Sequence, residues 1–308
     1  MVLYLVLIAV AVLFILSLSP IYLVKVCSGK DNQPLIALTF DDGYSCWISE
    51  IMPVLKYYNL PASGYITNPD YREDFTWAEV QQLYDAGWEI GWHTTKHISV
   101  DKVGWSELTS DFINCKALFK SHGLPPPVTF AYPHGRHDFR SVKVASEYFL
   151  ASRTTHHGVN SPHDVHKNPA HLKRYNLERE LAFLKKTIKK YYQQNMLIVF
   201  SCHTVGQIAE WQTKTDMTVE DFKELVKFLN QEKQNGHIDV VTLSEGINRI
   251  QHREVSYAWR FKIDSPFNAW CRFWIVPIPE RYYTLYHRII QDFVGQHYPR
   301  IANWLDRF

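Results

Sequence analysis

The stretch Leu35-Ile36-Ala37-Leu38-Thr39-Phe40-Asp41-Asp42-Gly43 decides how the rest of the chain is read. Its four leading apolar residues form a short unbroken run, the pattern of a strand buried on both faces in a parallel sheet. Glycine then frees the backbone for a loop. Two adjacent carboxylates at the end of a buried strand are costly in a low-dielectric site unless something binds them. A metal ion is the usual remedy, so its remaining ligands are sought elsewhere in the chain.

Outward from this stretch, short apolar runs alternate with longer amphipathic segments. Strands are expected at 35–40, 62–66, 88–92, 128–131, 148–152, 196–200 and 238–243. Helices are expected at 47–58, from Thr76 to Gly87, at 105–121, near Ser141, at 177–192 and at 219–234. Thr76 with Glu79 three residues on has capping-box spacing. Strands alternating with helices imply parallel βαβ units, and seven of them favour a distorted (β/α) barrel over an open sheet. A chain of 308 residues is long enough for one such barrel.

The ends differ from the middle. From Val2 to Val24 there is no charged residue, and a run of that length can cross a hydrocarbon core of ~30 Å as a helix. Residues 1–25 are therefore read as a single-pass transmembrane anchor or uncleaved signal, 26–34 as a linker, 35–250 as the catalytic domain and 251–308 as an extension. The anchored domain is expected to lean extracytoplasmic, although Lys25 and Lys30 follow the span and the positive-inside tendency favours the opposite side. The extension mixes aromatics with Arg260, Arg272, Arg281 and Arg288, a composition that suits either a membrane interface or an added packing layer. The net charge of +2 gives no field for nucleic acid. Five scattered cysteines without a Cys-x-x-Cys pair indicate neither a disulfide framework nor a cysteine zinc site.

The second decisive stretch is Gly91-Trp92-His93-Thr94-Thr95-Lys96-His97. Histidines at i and i+4 face the same way on a helical turn, and they follow a strand as Asp41 and Asp42 do. Barrel active sites gather at that face. Two imidazoles and one carboxylate with open positions suit a first-row metal, most often zinc.

Together Thr39–Gly43 and His93–His97, with the lead-in Ala86-Gly87-Trp88-Glu89-Ile90-Gly91-Trp92, resemble the first two motifs of the polysaccharide deacetylases, the NodB-type carbohydrate esterase family 4. The resemblance covers roughly residues 35–250. It implies a distorted (β/α) barrel that removes N- or O-acetyl groups from sugars with a divalent metal, zinc foremost. It further implies Asp41 as general base and Asp42, His93 and His97 as metal ligands. Phe130-Ala131-Tyr132-Pro133-His134-Gly135 is similar to the family's third motif, with two departures. Ala131 stands where an arginine usually steadies the base, and His134 where a tyrosine usually offers its backbone N–H to the oxyanion. Arg153, after the fifth strand, is the candidate substitute for the missing arginine. Val199–Thr204 resembles the segment whose histidine, here His203, protonates the leaving amine, a role suited to a pKa near neutrality. Alternation points Cys202 away from His203, so it reads as a small buried hydrophobe. His156, His157, His163, His166 and His171 match no standard metal spacing and read as loop; Trp211 is either a sugar-stacking platform or packing.

The expected activity is removal of an acetyl group from an amino sugar of a polysaccharide or glycoconjugate. A deacylase of a lipid-linked sugar, or a catalytically silent sugar-binding module on the same scaffold, are the alternatives.

Overall fold

Strand β2, Leu35–Asp42, is buried along its whole length and is the seam on which the barrel closes. The computed structural model describes residues 21–26, 32–209, 215–252, 256–261 and 277–278. The chain divides into two units, Asp31–His252 and a second made of Met1–Lys30 with Arg253–Phe308.

In the first unit β2 is followed by β3 (Ser63–Ile66), β4 (Glu89–Trp92), β5 (Thr129–Ala131), β6 (Ala151–His157), β7 (Leu172–Asn176), β8 (Leu197–Cys202) and β9 (Asp239–Val241). Neighbours in sequence are neighbours in space from β3 to β8, all parallel, and β2 pairs with both β8 and β3. Seven strands thus close a ring. β9 adds to the free lower edge of β2, at Leu35–Ala37, below the segment that pairs with β3.

The helices are α1 (Met52–Tyr57, entered by a π turn at Trp47–Ile51), α2 (Trp77–Asp85), α3 (Trp105–Ser121), α4 (Phe139–Tyr148), α5 (Pro162–Lys167), α6 (Leu181–Lys190), α7 (Val219–Gln234) and α8 (Leu243–His252). At α2 the Thr76 hydroxyl accepts from the Glu79 N–H while the Glu79 carboxylate accepts from the Thr76 N–H, the reciprocal cap its sequence predicts.

Alternation along the strands separates two apolar clusters. Ile36, Leu38 and Phe40 pack outward with Trp47, Trp88 and Phe222, whereas Leu35, Ala37, Ala131, Ala151 and Val199 fill the lumen. Leu243, Ile247 and Ile250 of α8 join the lumen cluster. Glu89 anchors that end: its carboxylate accepts from Ser63 Oγ (3.2 Å), Thr129 Oγ1 (2.5 Å) and the Ser244 backbone N–H (2.8 Å), a negative charge at the start of α8 where the helix dipole favours one.

The architecture agrees with the expected barrel of seven parallel strands, but its membership differs. The expected seventh strand is β9, outside the ring, and β7 takes its place within it. β7 reads Leu-Lys-Arg-Tyr-Asn and is only half-buried after Leu172, so no apolar run announces it. The fifth strand starts three residues later than its apolar residues suggest, and the segment read as a histidine-rich loop contains the end of β6, α5 and the Pro169–His171 turn that leads into β7. The second unit holds an antiparallel sheet of β1 (Ile21–Val26), β10 (Ser256–Phe261) and β11 (Pro277–Ile278), with Ile21 opposite Phe261. The end of the apolar N-terminal run is therefore strand. Residues 1–20 of the expected anchor lie outside the described residues, as do Trp211 and most of the aromatic extension. Among the described residues no helix is long and apolar enough to cross a membrane.

Candidate active site

The two acids of β2 part company through one dihedral angle. Asp41 continues the lumen row of Leu35 and Ala37. Asp42 has a φ of 78°, a left-handed conformation that costs a non-glycine residue roughly 1–2 kcal/mol. Gly43 follows at φ 90°, where a Cβ would lie 2.7 Å from the Phe75 ring. This turn sets the Asp42 carboxylate against two imidazoles: Oδ1 is 3.3 Å from His93 Nε2 and 3.3 Å from His97 Nε2.

His93 and His97 converge through a turn and not through the helical face expected from their spacing. Thr94 and His97 both have positive φ, 65° and 53°. Asp111 holds the turn by accepting from the Thr95 N–H (2.9 Å) and from Trp92 Nε1 (2.7 Å). His93 Nδ1 donates to the Ala131 carbonyl at 2.7 Å, which leaves a lone pair on Nε2 in the neutral ring. That nitrogen then faces Asp42 Oδ1, a buried oxygen with no hydrogen-bond partner. Two such acceptors at 3.3 Å repel unless a cation lies between them. Ligand atoms each about 2.0–2.1 Å from a tetrahedral zinc are themselves about 3.3 Å apart, so spacing and donor chemistry both fit a first-row metal. Burial and the neighbouring His93 push the His97 pKa down to about 4, keeping its ring neutral as a ligand requires. For Asp42, burial acts upward, but the two imidazoles beside it outweigh that and hold the carboxyl well below its ordinary range.

Asp41 meets a different partner. Arg153 Nη2 donates to both its oxygens, at 2.5 and 2.6 Å, and the arginine is 1% exposed. Arg153 is the register partner of Ala131 across β5 and β6, and its guanidinium lies 5.4 Å from the Tyr65 ring centre. Burial raises the Asp41 pKa, yet the Arg153 charge, helped by His93 and His203, brings it net below the usual value.

His203, beyond β8, is fixed by Asp216. The Asp216 carboxylate accepts from the His203 backbone N–H (2.5 Å) and lies 2.9 Å from its Nδ1, while Trp47 Nε1 donates to the His203 carbonyl (2.8 Å). Burial lowers the His203 pKa, but Asp216, Asp41 and Asp42 together raise it above the ordinary value. Cys202 packs in the outer cluster with its thiol pKa pushed well up by burial, so it is no thiolate. His134 stands in the turn Pro133–Gly135 at φ 58°, its ring centre 4.3 Å from that of His97.

The structure thus brings Asp41, Asp42, His93, His97, His134 and His203 together at or just beyond the C-terminal ends of the strands, with Arg153 reaching Asp41 from within β6 and not from beyond it as its sequence position suggests. Asp216 is the member that reading the sequence missed; its one signal is a carboxylate just ahead of the Thr218 helix cap on that same face. Tyr44, whose hydroxyl donates to Asp42 Oδ2 at 3.3 Å, was also missed.

Comparison with known proteins finds relatives of part of the chain. Residues 28–151, the segment that holds Asp41, Asp42, His93 and His97, match the family model for polysaccharide deacetylases. Peptidoglycan-N-acetylglucosamine deacetylase of Bacillus cereus is 27% identical over 118 residues, which are 38% of this chain and 54% of that protein. The bifunctional xylanase/deacetylase of Pseudobutyrivibrio xylanivorans is 33% identical over 81 residues, 26% of this chain and 13% of that one. The chain therefore spans about half the length of the first relative and a small part of the second. Among solved structures, a family 4 carbohydrate esterase from Streptomyces lividans is similar at 16% identity and a TM-score of 0.46, covering 72% of this chain and 97% of its own.

Proposed function

We propose that this protein is a metal-dependent hydrolase that removes the acetyl group from an N-acetylated amino sugar in a polysaccharide or glycoconjugate. The observation that carries the reading is the partnerless Asp42 Oδ1 between His93 Nε2 and His97 Nε2, with a clamped carboxylate on one side and an acid-paired histidine on the other. The Bacillus cereus relative, named for deacetylation of peptidoglycan N-acetylglucosamine, supports the substrate class.

Asp42, His93 and His97 would hold the ion. When bound, a divalent metal supplies Lewis acidity, lowering the pKa of water and polarising an acyl oxygen. Asp41, ionised and oriented by Arg153, takes the proton from the attacking water. The His134 backbone N–H donates to the oxygen that gains charge. His203 carries its transferable proton on Nε2, because Nδ1 faces Asp216, and gives it to the departing amine. Acetate and a free amino sugar result. The apolar residues 2–20 support a further reading, in which this chemistry is held at a membrane by an N-terminal anchor. Comparing carbonate-resistant pelleting of the full chain with that of a chain lacking residues 1–20 tests that part.

The activity is tested by acetate release from a panel of acetylated glycans, with the metal stripped and restored. Release that disappears on chelation and returns with zinc is the expected result. Sugar binding without any release, in protein loaded with one equivalent of metal, would instead make the chain a silent binding module.

A further inference from the structure

A second group of histidines converges outside the site just described. His137 follows the Pro133–Gly135 turn, His156 lies near the end of β6 and His171 closes the turn Pro169–His171 ahead of β7. Their ring centres are 4.6 Å (His137–His171), 4.9 Å (His156–His171) and 5.2 Å (His137–His156) apart. One nitrogen of each lies within 4.8 Å of the others.

Their geometry is imposed by neighbours. His137 Nδ1 lies 2.9 Å from the Gly135 carbonyl, to which it can only donate. In the neutral ring this leaves the Nε2 lone pair, which points at His171 Nε2 2.8 Å away. Gly135 has a φ of 68°, and a Cβ there would overlap the Thr155 side chain, so the loop bearing His137 lies tight against the strand bearing His156. Tyr132 donates its hydroxyl to the Ala170 carbonyl at 2.9 Å, tying the same loop to the turn that bears His171.

We propose that His137, His156 and His171 form a second metal site, one that takes a first-row transition ion such as zinc and supports the Tyr132–His137 loop. Three imidazoles with no carboxylate favour zinc, nickel or copper over magnesium or calcium. Nitrogens about 2.0–2.1 Å from a tetrahedral ion are about 3.3 Å apart. The His137–His171 contact must therefore open by about 0.5 Å, and the widest pair must close by no more than about 1.5 Å, within the reach of side-chain rotation. His156 is exposed and the other two rings are half-buried, which leaves an entry path and a fourth position for water. An ion here would brace the loop whose His134 ring rests on His97, without touching the Asp42 group.

The test is metal content of the full chain after dialysis against buffered zinc at roughly micromolar free concentration, above the Kd that structural zinc binding energies imply. Wild type should retain two equivalents, Asp42→Ala one, His156→Asn one, and the two changes together none. His171→Gln guards against a folding defect in the first variant and should also lower the count by one, with circular dichroism unchanged. Magnesium or calcium should not displace the second equivalent. The proposal is overturned if wild type retains a single equivalent that His156→Asn leaves in place, or if both histidine variants retain two. If wild type and Asp42→Ala each hold one equivalent that His156→Asn removes, the second site stands and the Asp42 site falls, so the two readings fail separately.

Discussion

Ala131 and Arg153 face each other as register partners on β5 and β6, both buried, and the guanidinium fills the lumen level at which the smaller residue leaves room. The resemblance to the polysaccharide deacetylases implies an arginine at the Ala131 position. Here the cation has crossed to the adjacent strand and still reaches the carboxylate of Asp41. Arg153→Met is expected to leave that carboxylate buried without its counter-ion, a loss of about 3–5 kcal/mol in stability, and to lower kcat by about 100-fold through lost orientation. Adding Ala131→Arg to Arg153→Ala should recover part of both losses. Equal kcat in Arg153→Met and wild type would show that Asp41 needs no such partner.

Metal removal should be visible without any substrate. With zinc at about 100 times its Kd, binding to the folded state adds about 2.7 kcal/mol, or several degrees in Tm for a domain of this size. Differential scanning with and without chelator should show that shift in wild type. A smaller one, the share of the His137, His156 and His171 group alone, is expected in Asp42→Asn, where a neutral amide replaces the anionic ligand. Identical shifts in both would place the responsible ion elsewhere.

The His203–Asp216 pair predicts a pH signature. The folded pKa of His203 lies above its ordinary value, so its stabilising share is fully present below about 6.5 and fades as pH rises through the raised value. Asp216 is shifted downward, so its share is present above about 3.9 and is lost as pH falls through the lowered value. The stability gap between wild type and Asp216→Asn should therefore be widest between about pH 4 and 6.5. In turnover, the alkaline limb of the Asp216→Asn profile should move to lower pH, because His203 loses its proton earlier. An unmoved limb would separate His203 from the acid step.

Cys202 adjoins His203 in sequence but should take no part in turnover. Its buried, protonated thiol should resist alkylation at neutral pH in the folded protein, and Cys202→Ala should keep kcat within a few-fold. Rapid inactivation by a thiol reagent that modifies Cys202 would contradict this.

Glu89 lies within the second motif's lead-in, yet its contacts are at the opposite end of the barrel. Glu89→Ala strips three donors of a charged acceptor, each worth about 1.5–3 kcal/mol, so thermal stability should fall clearly. Acetate release per folded molecule should change little. A large loss of kcat at unchanged stability would move Glu89 into the chemistry.

What could be read from the residues follows where water is excluded by carbon. β2, β3, β4 and β8 are apolar enough to declare themselves, and the Asp-Asp and His-His spacings declare chemistry. β7 and the continuation of β6 past residue 152 do not, because the upper lumen is polar: Arg153 and Thr154 are buried but look like surface in a hydropathy reading. The convergence of His93 and His97 was legible, whereas its route through left-handed Thr94 and His97 was not, since nothing in their side chains requires it. Asp216 escaped because it reaches His203 by a loop return, and residues 13 apart with no periodic relation carry no pattern. The His137, His156 and His171 group escaped for the same reason, being assembled by three separate connections.

The order of strands around the ring has a consequence for how the protein comes into being. Asp42, His93 and His97 all lie on or just beyond β2–β4, within a contiguous early part of the chain. Arg153 arrives with β6, and His203 only after β8, whose Phe200 carbonyl accepts from Thr39 Oγ1 across 161 residues. Pairings of such separation carry the largest loop-closure cost and form late. During synthesis the ligand set is complete well before the closing seam exists, and Asp41 remains without its arginine until more than a hundred further residues have emerged. Nascent chains stalled before β8 would therefore present an unpaired edge on β2, the exposure that makes parallel sheets vulnerable to misassembly.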